Sequence, residues 1–190
     1  MAVAQAFRPA WHGRHSVGNG VALWRRMHRN RIARAPGFSY VGQHRYFVTC
    51  CTFGRLPFFR DELIVAATYL QLRRTVDGLR FVLLAYVFMP DHVHLLLEGY
   101  DQTSDLCRCV KHFKQMSGYQ FARQRRRTLW QPRYFDHVLR DGESTVKIAR
   151  YIFENPVRKG LVRSPSDYPY LGSDVGRVEE FFRVDRIEDL

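Results

Sequence analysis

Two apolar runs on either side of a short polar turn constrain the fold of this chain more than any other feature. Phe81–Met89 has the sequence FVLLAYVFM, and His92–Glu98 has the sequence HVHLLLE. Runs this short and this rich in β-branched and aromatic residues favour strands over helices. Pro90 and Asp91, which separate the runs, are turn-forming residues. The sequence therefore predicts two neighbouring strands that pair antiparallel.

Segments before this pair of strands predict the first elements of the fold. A strand is predicted over Arg45–Phe53, which is aromatic and β-branched. A helix is then predicted to begin at Asp61 and to end at Gly78. Its apolar residues recur at helical spacing on one face, which consists of Leu63, Ala66, Ala67 and Leu70.

Segments after the paired strands complete the predicted order. A second helix is predicted from about Ser104 to Arg123, with an inward face of Leu106, Cys109, Val110, Phe113 and Met116. A strand is predicted from Trp130 to Leu139, and a third helix from Glu143 to Asn155, stopped or kinked by Pro156. This order of elements predicts an α+β fold in which helices pack on one face of a single antiparallel sheet.

An excess of basic residues narrows the range of partners. Thirty Lys and Arg against eighteen Asp and Glu give a formal net charge of +12. Such a charge attracts polyanions, so nucleic acid is the first candidate, with a ribosome-associated or merely basic protein as the alternative. Many arginines lie before Pro36, and a basic arm that touches phosphates is predicted there, although a mitochondrial transit peptide shares part of that composition.

Several classes of protein are excluded by composition. A hydrophobic content of 46% is too high for a disordered chain. The pairs Cys50-Cys51 and Cys107-x-Cys109 lack the spacing of a zinc knuckle, so neither a structural zinc nor a disulfide is predicted. No stretch approaches roughly 18 uninterrupted apolar residues, and the N-terminus lacks the apolar core of a signal peptide, so we expect a cytoplasmic protein without a membrane partner.

Two histidines at the start of an otherwise apolar strand are the first candidates for chemistry. His92 and His94 are two residues apart, so both side chains leave the same face of the strand while Val93 and Leu95 enter the other. Two imidazoles placed in this way can share one metal ion. Such a pair taken alone is more often a surface or packing pair, but polar rings in an apolar strand need a partner.

The predicted third helix brings a tyrosine and an amide to one face. Tyr151 and Asn155 are four residues apart and therefore neighbours on a helix surface. Taken alone, Tyr151 is more often a core aromatic residue with its hydroxyl at the rim, and Asn155 before Pro156 equally well ends a helix. The two residues become candidates for function only in combination with the histidines.

Three ordered motifs together resemble a known family. The segments Met89–Leu96 (MPDHVHLL), Trp130–Phe135 (WQPRYF) and Tyr151–Gly160 (YIFENPVRKG) are similar to those of the REP-associated tyrosine transposases, members of the single-tyrosine HUH superfamily. The resemblance covers about residues 40–172 and includes the strand residues Phe47–Thr49. It implies a ferredoxin-like HUH fold, in which helices pack on a central antiparallel sheet.

The resemblance also implies the roles of four residues. His92 and His94 are implied to be the HUH metal ligands, Asn155 a third, side-chain amide ligand, and Tyr151 the nucleophile. The implied metal is Mg²⁺ or Mn²⁺. The implied reaction cleaves single-stranded DNA through a 5′-phosphotyrosine and then transfers the strand. The implied substrates are hairpins of repeated extragenic palindromes. The chain is thus implied to be a bacterial, nucleoid-associated transposase that acts as a monomer or a homodimer.

Basic and aromatic residues around the second helix are the predicted DNA contacts. The cations are expected to line a phosphate track, and the rings to stack on unpaired bases. The alternative for each residue is a solvated charge or a core ring. The candidates are Lys111, Lys114, Arg123, Arg125, Arg126, Trp130, Arg133, Tyr134 and Phe135.

Two other functions compete with the transposase interpretation. A non-catalytic regulatory protein could bind hairpin DNA or RNA, but it has no use for a nucleophile. A nuclease that uses water needs a carboxylate-rich metal cluster, and only Asp91 and Glu98 lie near the histidines. A covalent protein–DNA adduct separates the three functions.

The predicted domains are a basic, partly disordered arm (1–39), the HUH domain (40–172) and a tail that packs on it (173–190).

Overall fold

The computed structural model describes residues 37–190, so nearly all of the predicted basic arm lies outside the described residues. The strands are β1 (Arg45–Cys51), β2 (Phe81–Met89), β3 (His92–Gly99), β4 (Phe135–Val138) and β5 (Leu171–Gly172). The α-helices are α1 (Glu62–Gly78), α2 (Leu106–Arg125), α3 (Thr145–Phe153) and α4 (Asn155–Arg158). Short 3-10 helices occupy Phe53–Arg55, Phe58–Arg60, Pro165–Asp167, Glu180–Phe182 and Ile187–Asp189.

The five strands of residues 37–190 form one antiparallel sheet with the order β4-β1-β3-β2-β5. The predicted hairpin is confirmed, since β2 pairs with β3 across the turn and Phe88 lies opposite Val93. The order of elements from β1 to β4 is β-α-β-β-α-β, which is the ferredoxin-like arrangement. The α+β prediction is therefore confirmed.

Helices cover both faces of the sheet, whereas the sequence predicted helices on one face. Val93, Leu95 and Leu97 of β3 join the main core with α1 and α2. His94 points to the opposite face, where its ring lies 6.4 Å from the ring of Tyr151 on α3. The expectation failed because an apolar helix face does not specify which side of a sheet it covers.

The predicted inward face of α1 is wrong. Asp61 caps the helix as expected and accepts hydrogen bonds from the amides of Leu63 and Ile64. Leu63 is 75% exposed and Leu70 is 47% exposed. The buried face instead consists of Ile64, Val65, Thr68, Leu72, Thr75 and Val76. Thr75 can be buried because its hydroxyl donates to the carbonyl of Gln71, and a prediction that counts threonine as polar misses such a face.

The inward face of α2 is confirmed except at Met116, which is exposed. Ser117 is buried in its place and donates to the carbonyl of Phe113 over 2.6 Å. Its oxygen also accepts the indole N–H of Trp130 over 2.9 Å. A buried serine is therefore satisfied on the helix and links it to the segment before β4.

Two predicted elements are shorter than expected. The strand predicted over 130–139 is reduced to β4, because Trp130 pairs only as an isolated bridge with Thr52. The third helix breaks after Phe153, and α4 begins at Asn155 with Pro156 in its first turn. Proline lacks an N–H group and clashes with the carbonyl four residues earlier, so the predicted stop at Pro156 takes effect slightly upstream.

The C-terminal segment returns along β2 and then reaches α3. The carbonyl of Tyr170 accepts the amide of Phe88, and the carboxylate of Asp174 pairs with Arg73 on α1. Phe181 is fully buried, with its ring 5.1 Å from that of Phe153. Within residues 37–190, no helix is both long and apolar enough to cross a membrane.

A glycine at the end of β3 yields a test of the packing. A Cβ at Gly99 would lie 2.5 Å from the carbonyl oxygen of Gly42 and 2.7 Å from Cβ of Ser104. Gly99→Ala should lower the free energy of unfolding by about 2 kcal/mol, measured by urea denaturation. Gly78→Ala is the matched control, since no atom lies within 4 Å of its Cβ position, and it should not destabilise. Equal losses in both variants would contradict this account.

Candidate metal and nucleophile site

The two histidines of β3 converge on one point. Their Nε2 atoms are 3.1 Å apart, and their ring centroids are 4.6 Å apart. Two nitrogens that bind one ion at about 2.1 Å each lie roughly 3.0–3.4 Å apart. His92 and His94 therefore present two nitrogen ligands at the spacing that one divalent ion requires.

Each imidazole is oriented by a partner on its other nitrogen. Nδ1 of His94 lies 2.8 Å from the hydroxyl of Thr49 on β1, and Nδ1 of His92 lies 2.6 Å from a carboxylate oxygen of Asp91. A carboxylate only accepts, so His92 donates from Nδ1 and its Nε2 is left to accept or to bind a metal. Such outer partners orient metal-binding histidines in general.

The carboxylate of Asp91 is stabilised in its charged form. Burial alone would raise the pKa of Asp91. The hydrogen bond and charge of His92, together with Arg55 at 3.3 Å, outweigh burial and hold this pKa below its ordinary value. Asp91 is therefore a fixed acceptor for His92.

Within residues 37–190, no group of three or more His, Cys, Asp or Glu side chains could hold a metal ion.

Tyr151 lies beside the histidine pair on the same face of the sheet. Its side chain is buried, and its ring lies 6.4 Å from that of His94 and 6.3 Å from that of Phe47. Phe47 on β1 in turn lies 5.2 Å from His94, ring to ring. The tyrosine and the histidines, which are far apart in sequence, thus share one wall of aromatic rings.

The side chain of Asn155 bonds to the last turn of α3. Its Nδ2 donates to the carbonyl of Tyr151 over 3.0 Å and to that of Ile152 over 3.3 Å. This contact agrees with the helix-ending interpretation, and it also places the amide one turn from the tyrosine. The oxygen of that amide is the atom type that binds divalent ions. The contacts of Nδ2 do not test this role of the oxygen, and metal ligation by Asn155 stays a prediction.

Similarity to known proteins identifies the family. Residues 40–155 match the family model described as "Transposase IS200 like". The chain belongs to the IS200-like transposase family. The REP-associated tyrosine transposase of Escherichia coli (strain K12) is 29% identical to it over 119 residues, which are 58% of this chain and 68% of that protein. A Haemophilus influenzae protein that provisionally carries the same name is 26% identical, over 52% of this chain and 62% of its own length.

A solved structure shares the fold of this transposase. It is a REP-associated tyrosine transposase bound to a REP hairpin, with a TM-score of 0.63 and 20% sequence identity. The match covers 74% of this chain and 82% of that one. The similarity to REP-associated tyrosine transposases that the three motifs indicate is therefore confirmed by family, relatives and fold.

Most cations predicted to bind DNA lie away from the histidines of this transposase. Lys111 and Arg123 are exposed on α2, which packs on the opposite face of the sheet, and Arg126 follows the end of that helix. Arg125 pairs with Asp61 at the start of α1. The structure thus does not bring this group of cations together with the tyrosine.

Two further candidates have structural contacts instead. The ammonium group of Lys114 is half-buried and donates to the carbonyls of Gln131 and Arg133 over 2.7 and 2.9 Å. Trp130 is buried, and its indole N–H is bonded to Ser117. The ring of Trp130 is therefore a core ring in this structure, which agrees with the alternative interpretation, and base stacking by Trp130 stays a prediction.

The remaining candidates lie at the edge of the sheet. Arg133 is exposed in the loop that Lys114 holds. Tyr134 is half-buried, with the ammonium group of Lys114 5.9 Å from its ring centroid. Phe135 lies on the same face as Phe47, with the two rings 6.3 Å apart. Of these three residues, Phe135 is continuous with the aromatic wall, whereas Tyr134 packs against the main core beside Lys114.

Sequence reasoning missed Arg158, which is the cationic neighbour of Tyr151. Its guanidinium carbon lies 4.1 Å from the centroid of the tyrosine ring, and it donates to Glu154 over 2.8 Å and to the backbone carbonyl of Tyr151. Burial raises the pKa of Tyr151, and the charge and hydrogen bond of Arg158 oppose that rise. The available signal was a cation seven residues after the tyrosine, a spacing close to two helical turns.

Removing the charge of Arg158 should change the titration of Tyr151. Arg158→Gln should raise the pKa of Tyr151 further, because burial of the phenol persists while the opposing positive charge is lost. NMR titration of ¹³C-labelled tyrosine, with Tyr151→Phe to assign the signal, measures this change. Arg158→Lys keeps the charge and should have the smaller effect. An unchanged or lowered pKa in Arg158→Gln would show that the arginine does not act on the phenol.

Proposed function

We propose that this transposase cuts one strand of DNA with Tyr151 and transfers the cut strand through a 5′-phosphotyrosine. The observation that supports this proposal is the position of a buried tyrosine beside two converging Nε2 atoms, with its ring 6.4 Å from that of His94. A phosphodiester bound against the histidines would lie beside the ring of Tyr151. Proximity of this kind contributes much of the rate of an in-line displacement.

The reaction exchanges one phosphate ester for another. The phenol of Tyr151 loses its proton, its oxygen forms a bond to phosphorus, and the bond from phosphorus to the 3′-oxygen breaks. The released 3′-oxygen takes up a proton and becomes a hydroxyl. Because the phosphotyrosine stores the energy of the broken ester, a second 3′-hydroxyl can reverse the step on another strand end without ATP.

His92 and His94 are the residues that would hold a divalent ion, with Asn155 as the proposed third ligand. Mg²⁺ or Mn²⁺ at this position would draw negative charge from the phosphodiester. The spacing of the two Nε2 atoms and the anchoring of both rings by Thr49 and Asp91 fit such an ion.

Arg158 would act on the tyrosine in both directions of the reaction. A tyrosine is a weak nucleophile while its phenol is protonated, and burial favours that neutral form. The guanidinium group beside the ring favours the phenolate. It would therefore assist attack in the first step and stabilise the departing phenolate in the second.

The two carboxylates that are close to the histidines in sequence are poorly suited to a water-using nuclease. Asp91 is bound to His92 and to Arg55, and Glu98 lies 2.6 Å from Nε of Arg45. Both groups are therefore engaged as structural acceptors, and neither is placed as a base for water. The tyrosine is the better-placed nucleophile.

Hairpin DNA with a single-stranded flank is the proposed substrate. One relative of the same fold is bound to a REP hairpin, and the net charge of +12 favours a nucleic-acid partner. Cleavage requires an unpaired strand, because the scissile phosphate must reach a buried tyrosine at the face of the sheet. The hairpin would provide recognition, and the flank would provide the bond to be cut.

Tyr151→Phe should abolish cleavage and leave hairpin binding nearly unchanged, because the substitution removes one hydroxyl and little packing area. Single-turnover assays on a labelled hairpin with a single-stranded flank, and on a plain duplex of equal length, measure both properties. Wild-type protein should form a covalent adduct that denaturing gels resolve, and the variant should form none. Cleavage without an adduct would overturn the tyrosine mechanism, and binding without cleavage by wild-type protein would favour a non-catalytic regulator.

Loss of the two imidazoles should remove the metal and stop cleavage. His92→Ala combined with His94→Ala is expected to abolish Mn²⁺ binding in calorimetry, and EDTA should reproduce the loss of cleavage in wild-type protein. His112→Ala is the matched control, because that histidine is exposed on α2, on the other side of the sheet. Normal cleavage in EDTA would show that the histidine pair is structural.

A further inference from the structure

The face of the sheet that carries the histidines is covered unevenly. Helix α3 packs over β2 and β3 on this face. On the other side of the histidines the sheet continues through β1 to β4, and every residue of β4 is only half-buried. Helix α3 covers the β2 side, so the less covered route from Tyr151 for a DNA strand runs across β1 and β4.

A histidine of β4 lies on this open side. His137 is the register partner of Phe47 on β1, so the two side chains lie on the same face of the sheet. Phe47 is the residue whose ring contacts both His94 and Tyr151. Strands lie about 4.8 Å apart, so His137 is displaced from the strand of His94 by roughly 10 Å.

A carboxylate holds this histidine in one orientation. Nε2 of His137 lies 3.1 and 2.9 Å from the two carboxylate oxygens of Glu143, and Glu143 also accepts the amide of Arg140. Burial raises the pKa of Glu143, but the Arg140 amide and His137 outweigh burial and keep that pKa below its ordinary value. The carboxylate only accepts, so Nε2 donates. Nδ1 makes no hydrogen bond to the part of the chain that the structure describes.

We propose that His137, held by Glu143, binds a phosphodiester of the DNA strand next to the bond that Tyr151 cuts. This inference rests on the proposed function and extends it to the path of the strand. Because Nε2 is held by Glu143, Nδ1 is the ring nitrogen left for a ligand, and it donates to an anionic oxygen when the imidazole carries both protons. A displacement of roughly 10 Å corresponds to one to three nucleotides, so the ligand is a neighbouring phosphate and not the scissile one.

Neutral phosphate analogues provide the test. In a single-stranded oligonucleotide, each phosphate near the cleavage position is replaced in turn by a methylphosphonate, which removes its charge. Binding is measured with the full chain carrying Tyr151→Phe, so that the strand stays intact. One replacement within three nucleotides of the cleavage position should weaken binding roughly tenfold, and the same replacement should have little further effect once His137→Ala is present.

Two additional variants separate the contact from general effects. Glu143→Gln keeps an acceptor for the amide of Arg140 and removes the charge that holds the imidazole. In this variant the methylphosphonate should therefore weaken DNA binding less than it does in the protein with Glu143. Arg74→Gln removes one exposed charge from α1, on the other side of the sheet, and should retain full sensitivity to the analogue. Thermal unfolding of each variant checks that β4 remains folded.

Each outcome decides the proposal. The proposal is supported if His137→Ala and one methylphosphonate have non-additive effects on the affinity for the oligonucleotide. Additive effects at every phosphate, with normal cleavage by wild-type protein, overturn this contact and leave the tyrosine mechanism standing. Non-additive effects in a protein that does not cleave support the strand path and overturn the proposed chemistry. Failure to bind any single strand overturns both.

Discussion

The position of β3 between β1 and β2 is the constraint on which the rest of the structure depends. Antiparallel pairing on both sides fixes its register, so that Thr49 and Val87 flank His94. Side chains alternate along the strand, and a slip by one residue would place both histidines in the core and Val93 at the site. The main core and the candidate site are therefore two faces of the same strand, specified by the same pairing.

The two histidines within this apolar sheet are tolerated because each has a partner supplied by the fold. His94 is buried and is bonded to Thr49, which lies opposite it on β1. His92 is bonded to Asp91 in the turn that joins β2 to β3. A buried imidazole without such partners would cost free energy, and with them the two rings keep the orientation in which both Nε2 atoms converge. The same hydrogen bonds therefore stabilise the fold and prepare the site.

Residue type alone did not separate core residues from candidate DNA contacts. Trp130 and Lys114 belong to the residue types that bind nucleic acid, yet Trp130 is bonded to Ser117 in the core and Lys114 holds the carbonyls of the loop before β4. Conversely, Leu63 has the residue type of a core position and is exposed. Helical periodicity marks several possible faces, and burial depends on which face meets the sheet.

The sequence by itself determined the elements that depend on neighbouring residues. Alternation and turn residues specified the β2–β3 hairpin, Asp61 and Gly78 bounded α1, and Pro156 broke the last helix, because strand, cap and proline preferences act over a few residues. Order and spacing of motifs also sufficed to indicate the family. Only the tertiary structure decided that α3 covers the face opposite α1 and α2, that Arg158 lies on the ring of Tyr151, and that His137 shares the face of the histidine pair. Those contacts depend on how distant segments pack, and local sequence preferences carry no information about that packing.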